Sequence, residues 1–283
     1  MSAIKAWLIR TLFILSTLGG LDHAYGNEPL TIYFYNPEIN ITRNALLKNT
    51  FDLYLEALGD YQFQPVDDKA TFEALIKNEA NAIFMMSNWH YLQIKNTQPN
   101  TSFSLALRGI KGGSDSFHKI LVSKDPQLDL STMSLATSGN REYSLAILNN
   151  IAYKAPEKKL SQNPFSNLNM LSVPKDIDAL MAVGFDLADA ALTTKSSLVK
   201  LSTIYKNQHQ ALHILGESQA LRRIVVTFKQ STNIKVRALL SELRQMENNK
   251  QGRRGLNMLG LDSWQLVNES IMQAKVQKGR PVQ

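Results

Sequence analysis

The stretch Ala179-Leu180-Met181-Ala182-Val183-Gly184-Phe185-Asp186-Leu187-Ala188-Asp189-Ala190-Ala191-Leu192-Thr193-Thr194-Lys195-Ser196-Ser197-Leu198 repeats a pattern already present in Ala74-Leu75-Ile76-Lys77-Asn78-Glu79-Ala80-Asn81-Ala82-Ile83-Phe84-Met85-Met86-Ser87-Asn88-Trp89-His90-Tyr91-Leu92. In each copy a helical segment ends in a small or polar turn and a short apolar run follows, residues 82–86 in one and 188–192 in the other. Hydroxyl and amide residues close the run, Ser87-Asn88 and Thr193-Thr194. A short apolar run between turn signals has the character of a buried parallel strand. Ser, Thr and Asn are preferred N-caps, because their side-chain oxygens accept from the free N–H groups of a first helical turn. The same N–H groups can receive an anion or a polar ligand. Each copy therefore brings a candidate binding edge to the carboxyl end of a strand, where ligands bind in open α/β sheets. Ordinary strand-to-helix punctuation accounts for one such copy; two copies in one chain favour a site.

The flanking sequence extends the alternation. Residues 30–35 alternate and are rich in β-formers, and Asn36-Pro37 stops them. Residues 42–58 carry Leu46, Leu47, Phe51, Tyr54, Leu55 and Leu58 at helical spacing, ended by Gly59. A strand at 61–66 and a helix at 71–78 lead into the first copy. Strand, helix, strand, helix, strand is the sequence form of a parallel α/β sheet. Strands are expected at 103–107, 118–122, 134–137 and 170–173, with a helix over 141–152 and another over 176–183. The C-terminal part reads as strands at 213–216 and 224–228, a long helix at 232–247, shorter helices at 252–261 and 263–272, and a frayed tail from 275.

Composition narrows the function classes. The chain has 283 residues, 44% hydrophobic and 19% charged, enough for one large or two medium domains. Residues 1–26 have a basic start (Lys5, Arg10), an apolar core and Ala24-Tyr25-Gly26, the pattern of a cleaved signal peptide. There is no Cys, which excludes disulfides, thiolate metal sites, thiol nucleophiles and a lipoprotein anchor. An exported, Cys-free chain of this size fits a periplasmic protein. The formal charge of +7 becomes +6 without Lys5, Arg10 and Asp22, a modest field that favours anions. Nucleic acid is not expected: the basic residues are dispersed, and Lys250-Gln251-Gly252-Arg253-Arg254 reads as a solvated loop.

The order of pieces resembles the periplasmic substrate-binding proteins of ABC importers, type II fold, phosphate/phosphonate-binding branch. The resemblance is carried by Ala82 through Leu92, by Ile120-Leu121-Val122-Ser123-Lys124-Asp125 with Leu128-Asp129-Leu130, and by Ala136-Thr137-Ser138-Gly139 at a helix start. Ala179-Leu180 with Gly184 and Ala188-Asp189-Ala190-Ala191, then residues 252–261 with Trp264, continue it over roughly residues 28–272. It implies a two-lobed α/β clamp, each lobe a mostly parallel sheet flanked by helices. Lobe one is then 27–120 plus 213–283 and lobe two 121–212, with a two-segment hinge near 118–123 and 210–216. It further implies a small-molecule ligand, an ABC permease or a membrane sensor as partner, and a monomer without a cofactor. Two departures stand out. Ser131-Thr132-Met133 replaces the Lys-Gly pair common in the branch, and the loop continues as Asn140-Arg141-Glu142, with an acid in the first helical turn.

The candidate ligand-binding residues are Tyr35, Asn36, Ser87, Asn88, Thr137, Ser138, Gly139, Asn140, Thr193 and Thr194, all at strand ends. Hydroxyls, amides and backbone N–H groups suit a desolvated oxyanion. Arg141 either binds an acid or pairs along its helix, Trp89 and Tyr91 wall the pocket or fill the core, and Arg108 stands near the hinge. Catalysis is not expected. His209 and His213 have helical metal spacing but no third ligand, and Asp186 with Asp189 read as a cap and a strand residue. The leading expectation is a solute-binding protein for a small anionic or polar, phosphate- or phosphonate-like solute. The alternative is a sensor or accessory module of the same fold.

Overall fold

The computed structural model describes residues 29–39, 44–99, 103–152, 165, 167–229 and 234–267. The expected leader at 1–26 and the tail from 275 lie outside the described residues. In chain order the elements are β1 (Leu30–Tyr35), α1 (Asn44–Leu55), β2 (Tyr61–Pro65), α2 (Lys69–Asn78), β3 (Ala82–Met86), α3 (Asn88–Thr97) and β4 (Phe103–Ile110). Then come β5 (Ser116–Phe117), β6 (Lys119–Ser123), β7 (Ser134–Thr137), α4 (Arg141–Ala152), β8 (Asn169–Ser172), α5 (Asp176–Gly184), β9 (Ala190–Thr194), α6 (Lys195–Ile204) and α7 (Lys206–Gln210). The chain continues through β10 (His213–Glu217), β11 (Leu221–Arg222), β12 (Val225–Lys229), α8 (Ile234–Arg244), α9 (Lys250–Met258) and β13 (Ser263–Leu266).

Two sheets divide the strands. The first runs β13-β4-β12-β3-β1-β2 and the second β10-β6-β9-β7-β8. Both repeat copies sit inside them. All five residues of β3 are buried, and four of the five in β9. Burial on both faces explains the apolar run, since each large side chain removed from water contributes roughly 1.5–3 kcal/mol. The sheets are mixed rather than mostly parallel. β3 is parallel to β1 but antiparallel to β12, and β9 is parallel to β7 but antiparallel to β6. The antiparallel partners are the strands that pass from one sheet toward the other and back, and alternation within one half of the chain does not disclose their direction.

Three further corrections concern positions. The strand expected at 188–192 is Ala190–Thr194. Asp189 is held before it, its Oδ2 accepting from both the N–H and the hydroxyl of Ser134 at 2.7 Å. The helix expected at 263–272 is a strand where it is described: Trp264 is buried, donates to Met246 Sδ at 3.4 Å, and pairs with Gly109 of β4. Between the sheets the chain forms a two-stranded ribbon, β5 with β11, which the sequence reading did not contain.

The core of the first sheet lies under α1, α8 and α9. Phe51 stacks on Phe63 at 4.1 Å, and Leu239, Leu240 and Leu243 close the same layer. The second sheet is covered on one side by Tyr143, Ile147, Leu148 and Ile151 of α4 and on the other by Ala179, Leu180 and Val183 of α5. This arrangement turns the carboxyl ends of β1 and β7 toward each other.

Candidate functional site

The loop after β1 and the start of α4 meet between the sheets. Asn36 Oδ1 accepts from the N–H of Glu38 at 3.0 Å, a local Asx turn that Pro37 favours by fixing its own φ. The turned-out carbonyl of Pro37 accepts from the N–H of Asn140 at 2.8 Å. Asn140 caps α4, its Oδ1 accepting from the N–H of Tyr143 at 2.9 Å, while its Nδ2 donates to the hydroxyl of Tyr35 at 3.4 Å. A glycine is needed just before it. A Cβ on Gly139 would stand 2.7 Å from the Tyr143 ring.

A cavity of about 360 Å³ opens beside these contacts, lined by Tyr35, Asn36, Asn44, Asp67, Asn140 and Ser172 with Pro37, Ile39, Val66 and Gly139. Tyr35, Asn36, Gly139 and Asn140 were expected there, and the structure brings them together. Thr194 caps α6 by accepting from the N–H of Ser197 at 3.3 Å and lines a second, smaller cavity. The other five line neither cavity. Ser87 caps α3 by accepting from the N–H of His90, and Asn88 is buried behind it. Thr137 shares a hydrogen bond with Ser144 at 3.0 Å and accepts from the N–H of Gly139. Thr193 donates to the carbonyl of Asp176 at 2.8 Å. Ser138, fully buried, donates to Asp176 Oδ1 at 2.7 Å. The hydroxyl expected to greet an oxyanion already holds a carboxylate of the chain itself.

Asp176 belongs to a buried polar wall of the second cavity, which shares Asn36 and Ile39 with the first. Lys119 Nζ lies 2.6 Å from Asp176 Oδ1, and Lys119 is 2% exposed. Glu38 stands close by, 7% exposed. Burial pushes its carboxyl up to about 8, against the pull of Lys119 and with a further push from Asp176. The wall therefore sets the Lys119–Asp176 pair beside a carboxyl whose burial favours its protonated form. Tyr143 is also fully buried, and desolvation, then the charges of Glu38 and Asp176, raise its phenol well above the ordinary value.

Glu38, Lys119 and Asp176 were absent from the sequence reading. Lys119 left a trace: a charge opening the apolar run Ile120-Leu121-Val122 has to be buried with a partner. Of the remaining candidates, Arg141 donates to the carbonyl of Leu168 at 2.9 Å, and Arg108 pairs with Asp115 at 2.8 Å. Trp89 crosses edge-on to Tyr143 at 5.5 Å, which joins α3 to the core of the second sheet. Tyr91 packs against the core around Phe84. Asp186, with φ 58°, pairs with Lys124. Glu142 turns away from the cavity and accepts from Lys69 at 2.7 Å and Gln93 at 3.3 Å, bridging α4 to α2 and α3. Among the described residues no helix is long and apolar enough to cross a membrane, and no group of three or more metal-ligating side chains gathers.

No family model and no curated protein matches the sequence. Solved structures do match. A binding protein component of an ABC phosphonate transporter from Pseudomonas aeruginosa is 12% identical with a TM-score of 0.56, over 87% of this chain and 84% of that one. PhnD1 from Prochlorococcus marinus, in complex with methylphosphonate, is 12% identical with a TM-score of 0.58, over 87% and 95%. XAC2383 from Xanthomonas citri, bound to chloride ion, is 13% identical with a TM-score of 0.58, over 86% and 93%. Two mixed sheets flanked by helices, joined by paired crossing strands, with strand ends facing across a cleft and these neighbours along most of the chain, establish the two-lobed type II periplasmic-binding fold.

Proposed function

We propose that this is a periplasmic solute-binding protein, exported by the leader at 1–26, that captures a small anionic or polar solute and presents it to an ABC permease. The observation that carries the reading is the cavity of about 360 Å³ between the loop after β1 and the start of α4, lined by Tyr35, Asn36 and Asn140. A cleft of this size with several placed polar groups suits a small polar ligand. Its polar lining includes amides, hydroxyls and one carboxylate, Asp67, so uncharged polar solutes fit this cavity better than a phosphonate. We further propose lobes of 27–118 plus 218–283 and 119–217. These boundaries move a few residues from 27–120, 121–212 and 213–283 because β6 and β10 pair within the second sheet. The β5–β11 ribbon is then the hinge. On this reading the protein binds and presents its solute rather than transforming it.

A thermal-shift screen of the chain from Asn27 against phosphate, phosphonates, sulfate, carboxylates, amino acids and small amides tests it. A ligand at 100 times its Kd adds about 2.7 kcal/mol, a few degrees in Tm. The reading requires a hit that Asn140→Ala weakens at least tenfold. Silence across the panel favours the second reading, an accessory or sensor module bound to a membrane partner. The carboxylate of Asp176 on the Ser138 hydroxyl is the observation that speaks for it.

A further inference from the structure

Glu38 reaches across the cleft. It follows β1 of the first sheet, yet its carboxyl faces groups carried by the second: Lys119 of β6, Asp176 at the start of α5 and the phenol of Tyr143 on α4. Arg223, in the turn between β11 and β12, acts on it from the side of the ribbon. The backbone around it is pinned from both lobes. Asn36 Oδ1 accepts from the N–H of Glu38 at 3.0 Å, the carbonyl of Pro37 accepts from the N–H of Asn140 at 2.8 Å, and the hydroxyl of Ser138 lies 3.5 Å from the carbonyl oxygen of Glu38. Glu38 is 7% exposed in this arrangement. Its carboxyl returns to water when the two sheets move apart.

The cations that could neutralise Glu38 are already committed. Lys119 Nζ lies 2.6 Å from Asp176 Oδ1, and Arg223 donates to the carbonyls of Ser114 at 3.1 Å and Ser116 at 3.2 Å. An ionised Glu38 would set a second carboxylate beside Asp176, out of water, with Lys119 shared between them. Burying a charge without a full partner is far costlier than burying the neutral acid. Burial, opposed by Lys119, reinforced by Asp176 and opposed again by Arg223, accordingly brings the carboxyl to about 8 from 4.5. The exposed ion pair between the lobes has the opposite sense. A hydrogen bond from Lys69 is the main cause that holds Glu142 below its ordinary value, so that pair weakens as pH falls through the carboxylate range.

We propose that Glu38 is a latch between the lobes, which holds the cleft shut through its neutral carboxyl and lets the lobes part when that carboxyl ionises. The latch uses the two-lobed fold and not the capture of any solute, so it is independent of the function proposed above. Its sense follows from where the proton is held. The closed chain keeps the proton, whereas the open, folded chain returns the carboxyl to water and releases it above 4.5. Closure is therefore strongest in acid and is lost as pH rises to 8. Across that window the ratio of open to closed molecules grows by about tenfold per pH unit, and above it the ratio levels off.

Single-molecule energy transfer tests the latch in the chain from Asn27, labelled at Asn96→Cys on α3 and Asn207→Cys on α7, both exposed. It is run without solute, at constant ionic strength, between pH 6 and 8.5, with dyes whose emission does not change in that range. The ratio of open to closed molecules is expected to rise tenfold or more over the range, with the far-UV circular dichroism unchanged. Glu38→Gln, which keeps the shape of the neutral acid, is expected to change that ratio less than threefold. Glu142→Gln, whose ion pair weakens only at lower pH, is expected to keep the rise. A ratio that stays level in the parent overturns the proposal, as does a rise that Glu38→Gln reproduces or that Glu142→Gln abolishes. A rise that comes with loss of the circular dichroism signal reports unfolding instead of parting lobes and also overturns it.

Discussion

Glu38 combines two opposed requirements: its backbone shapes the turn that presents Pro37 to Asn140, and its carboxyl is buried beside Asp176. Burial pushes the carboxyl up to about 8 from 4.5 for the free side chain. Between those values the folded chain keeps a proton that the unfolded chain has released, so stability falls as pH rises through that window. Urea unfolding of the parent should lose on the order of 3 kcal/mol between pH 5 and 9 from this group. Glu38→Gln should remove most of that slope. An undiminished slope in the variant contradicts the assignment. His90 acts in the opposite direction. Fully buried against Tyr35 and Phe72, it is pushed down to about 4 by desolvation and then by Lys69, so stability falls as pH drops from 6.5 through 4. Asp176→Asn leaves Lys119 buried without its partner and should cost ~3–5 kcal/mol, read as a lower urea midpoint. Of the expected site residues, Tyr35, Asn36, Gly139 and Asn140 line the first cavity; Tyr35 ends β1, and the other three lie where a strand gives way to a turn or helix, a position the sequence discloses. Glu38 and Asp176 could not, since each looks like an ordinary loop or helix-start acid until two distant segments approach.

At the scale of elements, local pattern and tertiary pairing divide the outcome. α1, α2, α4 and α8 follow their helical spacing, and β3 follows its apolar run. β13 does not, because four residues are too few to show a period and Trp264 is placed by Met246 and β4. β9 starts two residues late because the Asp189–Ser134 bonds hold its first expected residues as a corner. The start of α9 is set by close backbone approach: a Cβ on Gly252 would lie 2.3 Å from the carbonyl oxygen of Met246. Gly252→Ala should therefore cost about 2 kcal/mol or more, even though alanine is the better helix former. A variant as stable as the parent in urea would show that the Met246–Asn249 turn yields without cost. The basic run 250–254, expected as a solvated loop, lies within α9, with Gly252, Gly255 and Leu256 buried.

For the whole molecule, the class was readable from strand–helix alternation, while the mixed sheets and the β5–β11 ribbon depend on chain directions that alternation does not encode. Among the described residues the contacts that join the two sheets include Pro37 and Tyr35 with Asn140, Glu38 with Ser138, Trp89 with Tyr143, and Lys69 and Gln93 with Glu142. The Lys69–Glu142 pair is exposed on both sides, so it contributes ~0–1 kcal/mol. Glu142→Gln should leave Tm nearly unchanged yet broaden the distribution of distances between the lobes. The chain has no cysteine, so one can be introduced in each lobe and labelled without background. The measurement that tests solute capture most directly is single-molecule energy transfer between Asn96→Cys on α3 and Asn207→Cys on α7, with and without the solute found in the thermal screen. Hinge-driven capture predicts a distance distribution that shifts and narrows as solute saturates, with a midpoint equal to the binding constant, and that keeps its unliganded form in Asn140→Ala. A distribution unchanged at saturating solute would contradict it.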